Sequence, residues 1–175
     1  MLTTRLLKET DTDWFSELYA ANQRDALSPE EREKYGFVQG SSGPEAVDKW
    51  IHSGRGLVAE LDGQPAGVAM AGPSTVPSDH PAGRAMEIAV NEGIDRPILW
   101  GPVVVGRAFR GQGISRALWE AAVATYRGEY AHAVAMVELS NRVSYEAHLH
   151  MGWKVIGEMS IDERNYAAIA KPLTV

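Results

Sequence analysis

No cysteine occurs in the 175 residues, so disulfides, thiolate-bound metals and a cysteine nucleophile are excluded, and the fold has to hold by packing alone. A reducing cytoplasm is compatible with that composition. Long apolar runs are missing too. No stretch approaches the roughly 18 apolar residues a membrane span requires, and the N-terminal segment has no apolar run behind a basic start. The expectation is a cytoplasmic protein with no membrane partner. Positive charge is also in short supply: 17 Lys and Arg against 23 Asp and Glu leave a net charge of -6. That balance argues against nucleic acid as a partner, because affinity for a duplex rests on a basic face.

What remains is ordinary globular material, 45% hydrophobic and 23% charged. The length fits one domain over residues 1–175, with enough chain to bury a sizeable core. The few cations are unevenly spread. Arg107, Arg110 and Arg116 crowd one short stretch, which suits a small polyanion or, more plainly, a solvated loop.

Periodicity orders the elements. A strand is expected over 3–7, then a helix capped by Asp11 or Asp13 that carries Trp14, Phe15, Leu18 and Tyr19. Ser28-Pro29-Glu30-Glu31 and Gly43-Pro44-Glu45 open two short helices, the second running through Val47, Trp50 and Ile51. Apolar runs over 57–61 and 66–71, joined by Asp62-Gly63, read as a hairpin. Pro73, Pro77 and Pro81 mark 72–83 as a loop, and 85–90 is open between helix and strand. Next comes an apolar strand over 97–105, a glycine-rich bend, and a helix carrying Ile114, Ala117, Leu118, Ala121, Ala122 and Thr125. A second strand and helix occupy 133–139 and 141–150, ended by Gly152. A strand pair over 153–159 and 166–170 closes the chain.

The bend carries the chemistry. In Arg110-Gly111-Gln112-Gly113-Ile114-Ser115 the glycines permit a tight turn and let main-chain N–H groups approach an anion, while the succeeding helix offers its positive end to the same spot. A pyrophosphate is the natural guest. A Walker loop fails, since Gln112 follows Gly111 and no lysine is near. The dinucleotide fingerprint is weak, since Arg116 stands where a small residue is needed.

The stretch over 105–115 resembles the GNAT superfamily of N-acetyltransferases, whose pattern is Arg/Gln-x-x-Gly-x-Gly/Ala after a strand ending in valine. Only the last position departs, with Ser115 for Gly or Ala. A second match supports it: Asn141, Ser144 and His148, then Met151-Gly152-Trp153, follow the family's Asn, small residue and tyrosine, then apolar residue, Gly and aromatic. Positions 141, 144 and 148 share one helix face. Without the first match, the bland reading is a cap, a neutral surface serine and a satisfied histidine. The resemblance is specific over about residues 99–153.

The resemblance implies an α/β fold of α+β type, with a mixed, mostly antiparallel sheet of about six to seven strands flanked by helices. It implies acetyl-CoA as cosubstrate, no metal, and an amine acceptor. Val103, Val104 and Val105 would lie along the pantetheine arm. Arg110, Gly111, Gln112, Gly113, Ile114, Ser115 and Arg116 would hold the pyrophosphate, and Asn141 and Ser144 would complete the coenzyme site. Many members pair, so a homodimer is an expectation too.

The reaction implied is direct attack of a neutral amine on the thioester. An alkylamine of pKa about 10 has to lose a proton first. His148, standing where the family often has tyrosine, is the candidate general acid for the thiolate, and Glu138 is the candidate base, with Glu87 as an alternative. The acceptor region is expected around 22–37 and 159–166, where Glu30, Glu31, Glu33, Asp162 and Glu163 hint at a cationic amine. The rival reading from another class is a catalytically silent acyl-CoA-binding sensor.

Overall fold

The computed structural model describes residues 1–40, 44–53, 55–72 and 77–174. Strand β1 (Leu2–Leu6) leads through a short 3-10 turn into helix α1 (Thr12–Asn22), succeeded by α2 (Pro29–Tyr35) and α3 (Pro44–His52). Strands β2 (Gly56–Leu61) and β3 (Gln64–Gly72) precede helix α4 (Pro81–Asn91). Then β4 (Pro97–Val105), α5 (Ile114–Tyr126), β5 (His132–Glu138), α6 (Arg142–His150), β6 (Lys154–Ile161) and β7 (Arg164–Pro172) complete the chain.

One seven-stranded sheet runs in the order β1-β2-β3-β4-β5-β7-β6. Every pairing is antiparallel except β4 with β5. This is the mixed, mostly antiparallel sheet expected. Strand periodicity sends alternate side chains to two helical layers. Along β5, Ala133, Ala135 and Val137 join Ile114, Leu118 and Trp119 of α5 in one core, whereas Val134 joins Ala85 and Ala89 of α4 on the opposite face. Phe15 and Tyr19 of α1 and Val47 of α3 pack with Val58 and Val68 on that opposite face. A strand covered on both sides has to be a continuous apolar run, which is why 133–137 contains no polar residue. At the end of the run, the alternation brings Glu138 out on the α4 face.

Two irregularities of β4 open the middle of the sheet. Its parallel pairing with β5 covers only Pro97, Ile98 and Leu99, so beyond Leu99 the two strands part. Its pairing with β3 continues to Val105, but Trp100 faces Ala71 and Val103 faces Ala69, so β4 takes three steps where β3 takes two. This bulge, with its cis peptide at Gly101-Pro102, shifts the alternation by one residue.

The structure revises several local expectations. Asp11 sits at the N-cap position of α1 without capping it. Its carboxylate instead takes both terminal nitrogens of Arg5 at 2.7 and 2.8 Å and the Lys8 N–H at 2.8 Å. An ion pair with a neighbouring strand outcompetes a local cap. The expected loop over 72–83 is cut short because α4 starts at Pro81, where His80 Nδ1 accepts from the Ala82 N–H. That helix settles 85–90. Pro73 and Gly43 lie outside the described residues. Finally, β6 and β7 are longer than expected and meet at a two-residue turn, Asp162-Glu163, with both residues at positive φ. Asp62-Gly63 turns the same way and was legible, because glycine advertises that backbone conformation and glutamate does not.

Candidate active site

The bend after β4 is open. Gly111 and Gly113 have φ of 75° and 81°, and Gly113 is the left-handed N-cap of α5. A Cβ built on either would meet nothing within 4 Å, so no side chain of the protein packs against the two glycines there. Thirteen residues of α5 aim their positive end at it. Gly67 of β3 lets the helix sit this low: a Cβ there would lie 2.7 Å from Ile114 Cγ2 and 3.0 Å from the Val104 carbonyl. Sequence reasoning missed that glycine, whose partner is remote in the chain.

Around the bend the candidate residues divide. Ile114 is a core residue, so only its main chain belongs to the concavity. Gln112 turns back to donate to the Ala108 carbonyl at 3.0 Å. Arg110 donates to the Tyr35 carbonyl at 2.6 Å and to Asn22 Oδ1 at 3.1 Å, bracing the bend against the ends of α2 and α1. Ser115 is half-buried, and Arg116 is exposed with no ion-pair partner among the described residues.

Where β4 and β5 part, a cavity of about 700 Å³ opens through the sheet. Of the candidate residues it brings together Val103, Glu138, Asn141, Ser144 and His148. Val104 is instead buried in the core beneath α1 and α3, and Val105 packs toward α5.

Asn141 is 5% exposed and does not cap α6 with its side chain. Its Nδ2 donates to the Phe37 carbonyl at 2.7 Å, and its Oδ1 is buried without a partner among the described residues. A lone buried acceptor costs about 1–3 kcal/mol, a cost that a ligand N–H would remove. His148 Nδ1 lies 2.7 Å from the Ser144 carbonyl. A carbonyl only accepts, so Nδ1 carries the proton and Nε2 of the neutral ring holds a lone pair. Burial pushes the His148 pKa below its ordinary 6.5, which favours that neutral form. The ring stands edge-on to Trp153 at 5.3 Å, the first contact of a column through Trp119 to Trp100.

Glu138, also 5% exposed, is held by four donor contacts. Arg24 reaches its two oxygens at 3.2 and 3.3 Å, and Gln39 and Ser140 each donate at 2.5 Å. Tyr166 lies directly across the β5–β7 pairing and contacts the same Gln39. Segment 36–40 is thereby stitched over the cavity, through Gln39 to β5 and through Phe37 to α6. Gly36 permits the approach, since a Cβ there would come within 2.8 Å of Asn141 Oδ1. Glu87 is exposed, ion-paired with Arg84 at 2.8 Å, and does not line the cavity.

At the far end the lining comes from α3 (Lys49, Trp50), the start of α4 (His80, Ala82) and the β6–β7 turn (Asp162, Arg164). Helix α3 and the start of α4 fall outside the expected acceptor segments. Glu30, Glu31 and Glu33 do not line the cavity; Glu31 engages Ser28 and Arg107. Asp162 and Arg164 fall inside the expected segment 159–166, whereas no sequence signal marks Lys49, Trp50, His80 or Ala82, because they converge on the cavity only in space. Among the described residues no His, Asp or Glu cluster is suited to a metal ion, and no helix is long and apolar enough to cross a membrane.

The family model of the acetyltransferase (GNAT) family matches residues 17–153, most of the chain. The protein belongs to the GNAT acetyltransferase family. Solved structures agree on the fold. A GNAT-family acetyltransferase from Streptococcus agalactiae superposes with a TM-score of 0.70 at 14% identity, over 98% of this chain and 95% of that one. The ribosomal-protein-S18-alanine N-acetyltransferase from Escherichia coli gives 0.65 at 15% identity, over 100% and 96%. The protein yncA from Salmonella typhimurium, solved with its cofactor acetyl-CoA, gives 0.64 at 18% identity, over 100% and 95%. No curated protein matches the chain. Within this family the parted strands and the open bend at the start of α5 are the features to which a function has to be assigned.

Proposed function

We propose that this GNAT protein is an N-acetyltransferase that passes an acetyl group from acetyl-CoA to a primary amine by direct attack. The observation that carries the reading is a pairing of features on one strand: an open glycine bend at Gly111 and Gly113 follows β4, and a cavity holding His148 and Asn141 opens where β4 has left β5. The residues present fit the coenzyme. Main-chain amides of 111–115 at the helix start suit its diphosphate, the open edge of β4 at 103–105 suits its amide-bearing arm, and the lone Asn141 Oδ1 lacks a donor. Acetyl-CoA, when bound, supplies a thioester electrophile and a thiolate leaving group.

The chain's own groups then handle geometry and protons. The cavity holds the amine against β4, and alignment of the partners lowers the barrier before any proton moves. Main-chain N–H groups where β4 leaves β5 are the donors for charge developing on the carbonyl oxygen. His148 first accepts the amine proton on Nε2, because its Nδ1–H is committed to Ser144; the imidazolium so formed becomes the acid for the departing sulfur. Glu138, with both oxygens occupied, positions Gln39 and the overlying segment.

Free-thiol release from acetyl-CoA with a panel of small amines, amino acids and peptides tests the reading. Amine-dependent release is expected, and His148→Gln should slow turnover by about 10²-fold. The wild-type rate limb from His148 should lie below pH 6.5, since burial lowers that pKa, and should vanish in the variant. Tight coenzyme binding with no amine-dependent release overturns the reading in favour of a silent acyl-CoA sensor.

A further inference from the structure

The cavity's charges do not match a cationic acceptor. Six arginines of the chain are half-buried: Arg5, Arg24, Arg32, Arg55, Arg110 and Arg164. Arg5, Arg24 and Arg55 hold carboxylates, and Arg32 and Arg110 hold main-chain carbonyls. Arg164 has no acceptor among the described residues, yet it lines the cavity. Partial desolvation of a guanidinium with five donors is offset only when an acceptor is supplied.

Its placement is set by register. Arg164 opens β7 two residues before Tyr166, and so lies on the same face, about 7 Å along the strand. Tyr166 stands opposite Glu138, whose carboxylate is ion-paired with Arg24, the nearer of that arginine's two acidic partners. Lys49 of α3, next to Trp50, lines the cavity as well and has no ion-pair partner among the described residues. Against half-buried Arg164 and exposed Lys49 stands one carboxylate without an ion-pair partner among the described residues, Asp162, which is exposed on the hairpin turn. The protein as a whole carries -6, so a locally cationic pocket is a departure from its average.

We propose that the acceptor is a small amine bearing a carboxylate, which Arg164 engages through its planar fork and Lys49 through its point charge. This assignment rests on the acetyltransferase reading above. A cavity of about 700 Å³ suits such a molecule, and a polyamine would meet like charge there.

The experiment pairs glycine, leucine, methionine, phenylalanine and glutamate each with its α-carboxamide, with spermidine alongside, and reads kcat/KM by thiol release. A second arm needs no turnover: calorimetric Kd values of the N-acetylated acids and amides on protein loaded with coenzyme A. At least one acid should exceed its amide about tenfold or more in both arms. Arg164→Gln should bring that ratio close to one, Lys49→Gln to an intermediate value, and Arg164→Lys should restore part of it, with melting temperatures reporting intact folds. Faster release with the amides or spermidine overturns the proposal and leaves the acetyltransferase standing. A ratio that survives in Arg164→Gln also overturns it. If no amine gives release, the acetyltransferase reading fails, and absence of an acid-over-amide preference in the calorimetric arm then removes the anion subsite as well.

Discussion

The two ends of the site on β4 are built in opposite ways. At the bend, the groups facing the concavity are main-chain amides, two glycines at positive φ and a helix terminus, all within a dozen consecutive residues. At the acceptor end, side chains from α3, the start of α4, β5, α6 and the β6–β7 turn converge on one space from segments remote in sequence. A backbone-built anion cradle can serve one invariant group, a diphosphate, whatever the neighbouring side chains are. A side-chain-built cavity can change its preference residue by residue while the strands behind it stay put. The difference explains why membership of the acetyltransferase family, matched over residues 17–153, bears on the bend but leaves the acceptor open.

Substitutions at three positions break or sharpen that contrast. The largest effect is expected from Gly113→Asp, which puts a carboxylate into the cradle and a side chain at φ 81°. The Kd for coenzyme A should rise about 100-fold or more by calorimetry, while neutral Gly113→Asn, which tolerates that conformation, should lose less than about tenfold. Unchanged affinity in the aspartate variant removes the cradle. At the other end, Glu138→Gln leaves half-buried Arg24 with only the exposed Asp25, at 3.7 Å, as counter-charge. Chemical denaturation should show a loss of about 2–3 kcal/mol. A dedicated base would behave differently, with kcat collapsing at unchanged stability. The smallest effect belongs to the turn beneath the acceptor end, where Glu163 holds φ 62°. Glu163→Gly should gain up to about 1 kcal/mol in the same measurement, and a loss there would mean that the glutamate side chain supports the hairpin.

Burial of His148 as the neutral ring also makes stability depend on pH. Its folded pKa lies below the unfolded value of about 6.5, so the unfolded chain binds more protons in the intervening window. The contribution is therefore complete above that window and declines as pH falls through it, the same direction as the expected rate limb.

Much of the fold was legible because its signals are local. The apolar run in 57–61 with its Asp-Gly turn, the two-sided apolar run in 133–137, Pro29 after the capping serine and glycine at 152 each act within a few residues. What escaped was decided by competition between local and remote partners. Asp11 is drawn from its helix cap to Arg5, and Arg110 leaves the bend to brace α1 and α2. Asn141, readable as a cap, reaches across to Phe37 instead.

By itself, then, the order of residues determined the strand–bend–helix with its open glycine bend, because glycine backbone freedom and a helix dipole are properties of consecutive residues. It determined the histidine on α6 as well, though not which nitrogen is free. Only the tertiary structure decided where β4 leaves β5, that Glu138 is saturated, and that Arg164 meets no acceptor among the described residues. Those outcomes depend on register and on charges meeting across the sheet, quantities that no short window of sequence contains.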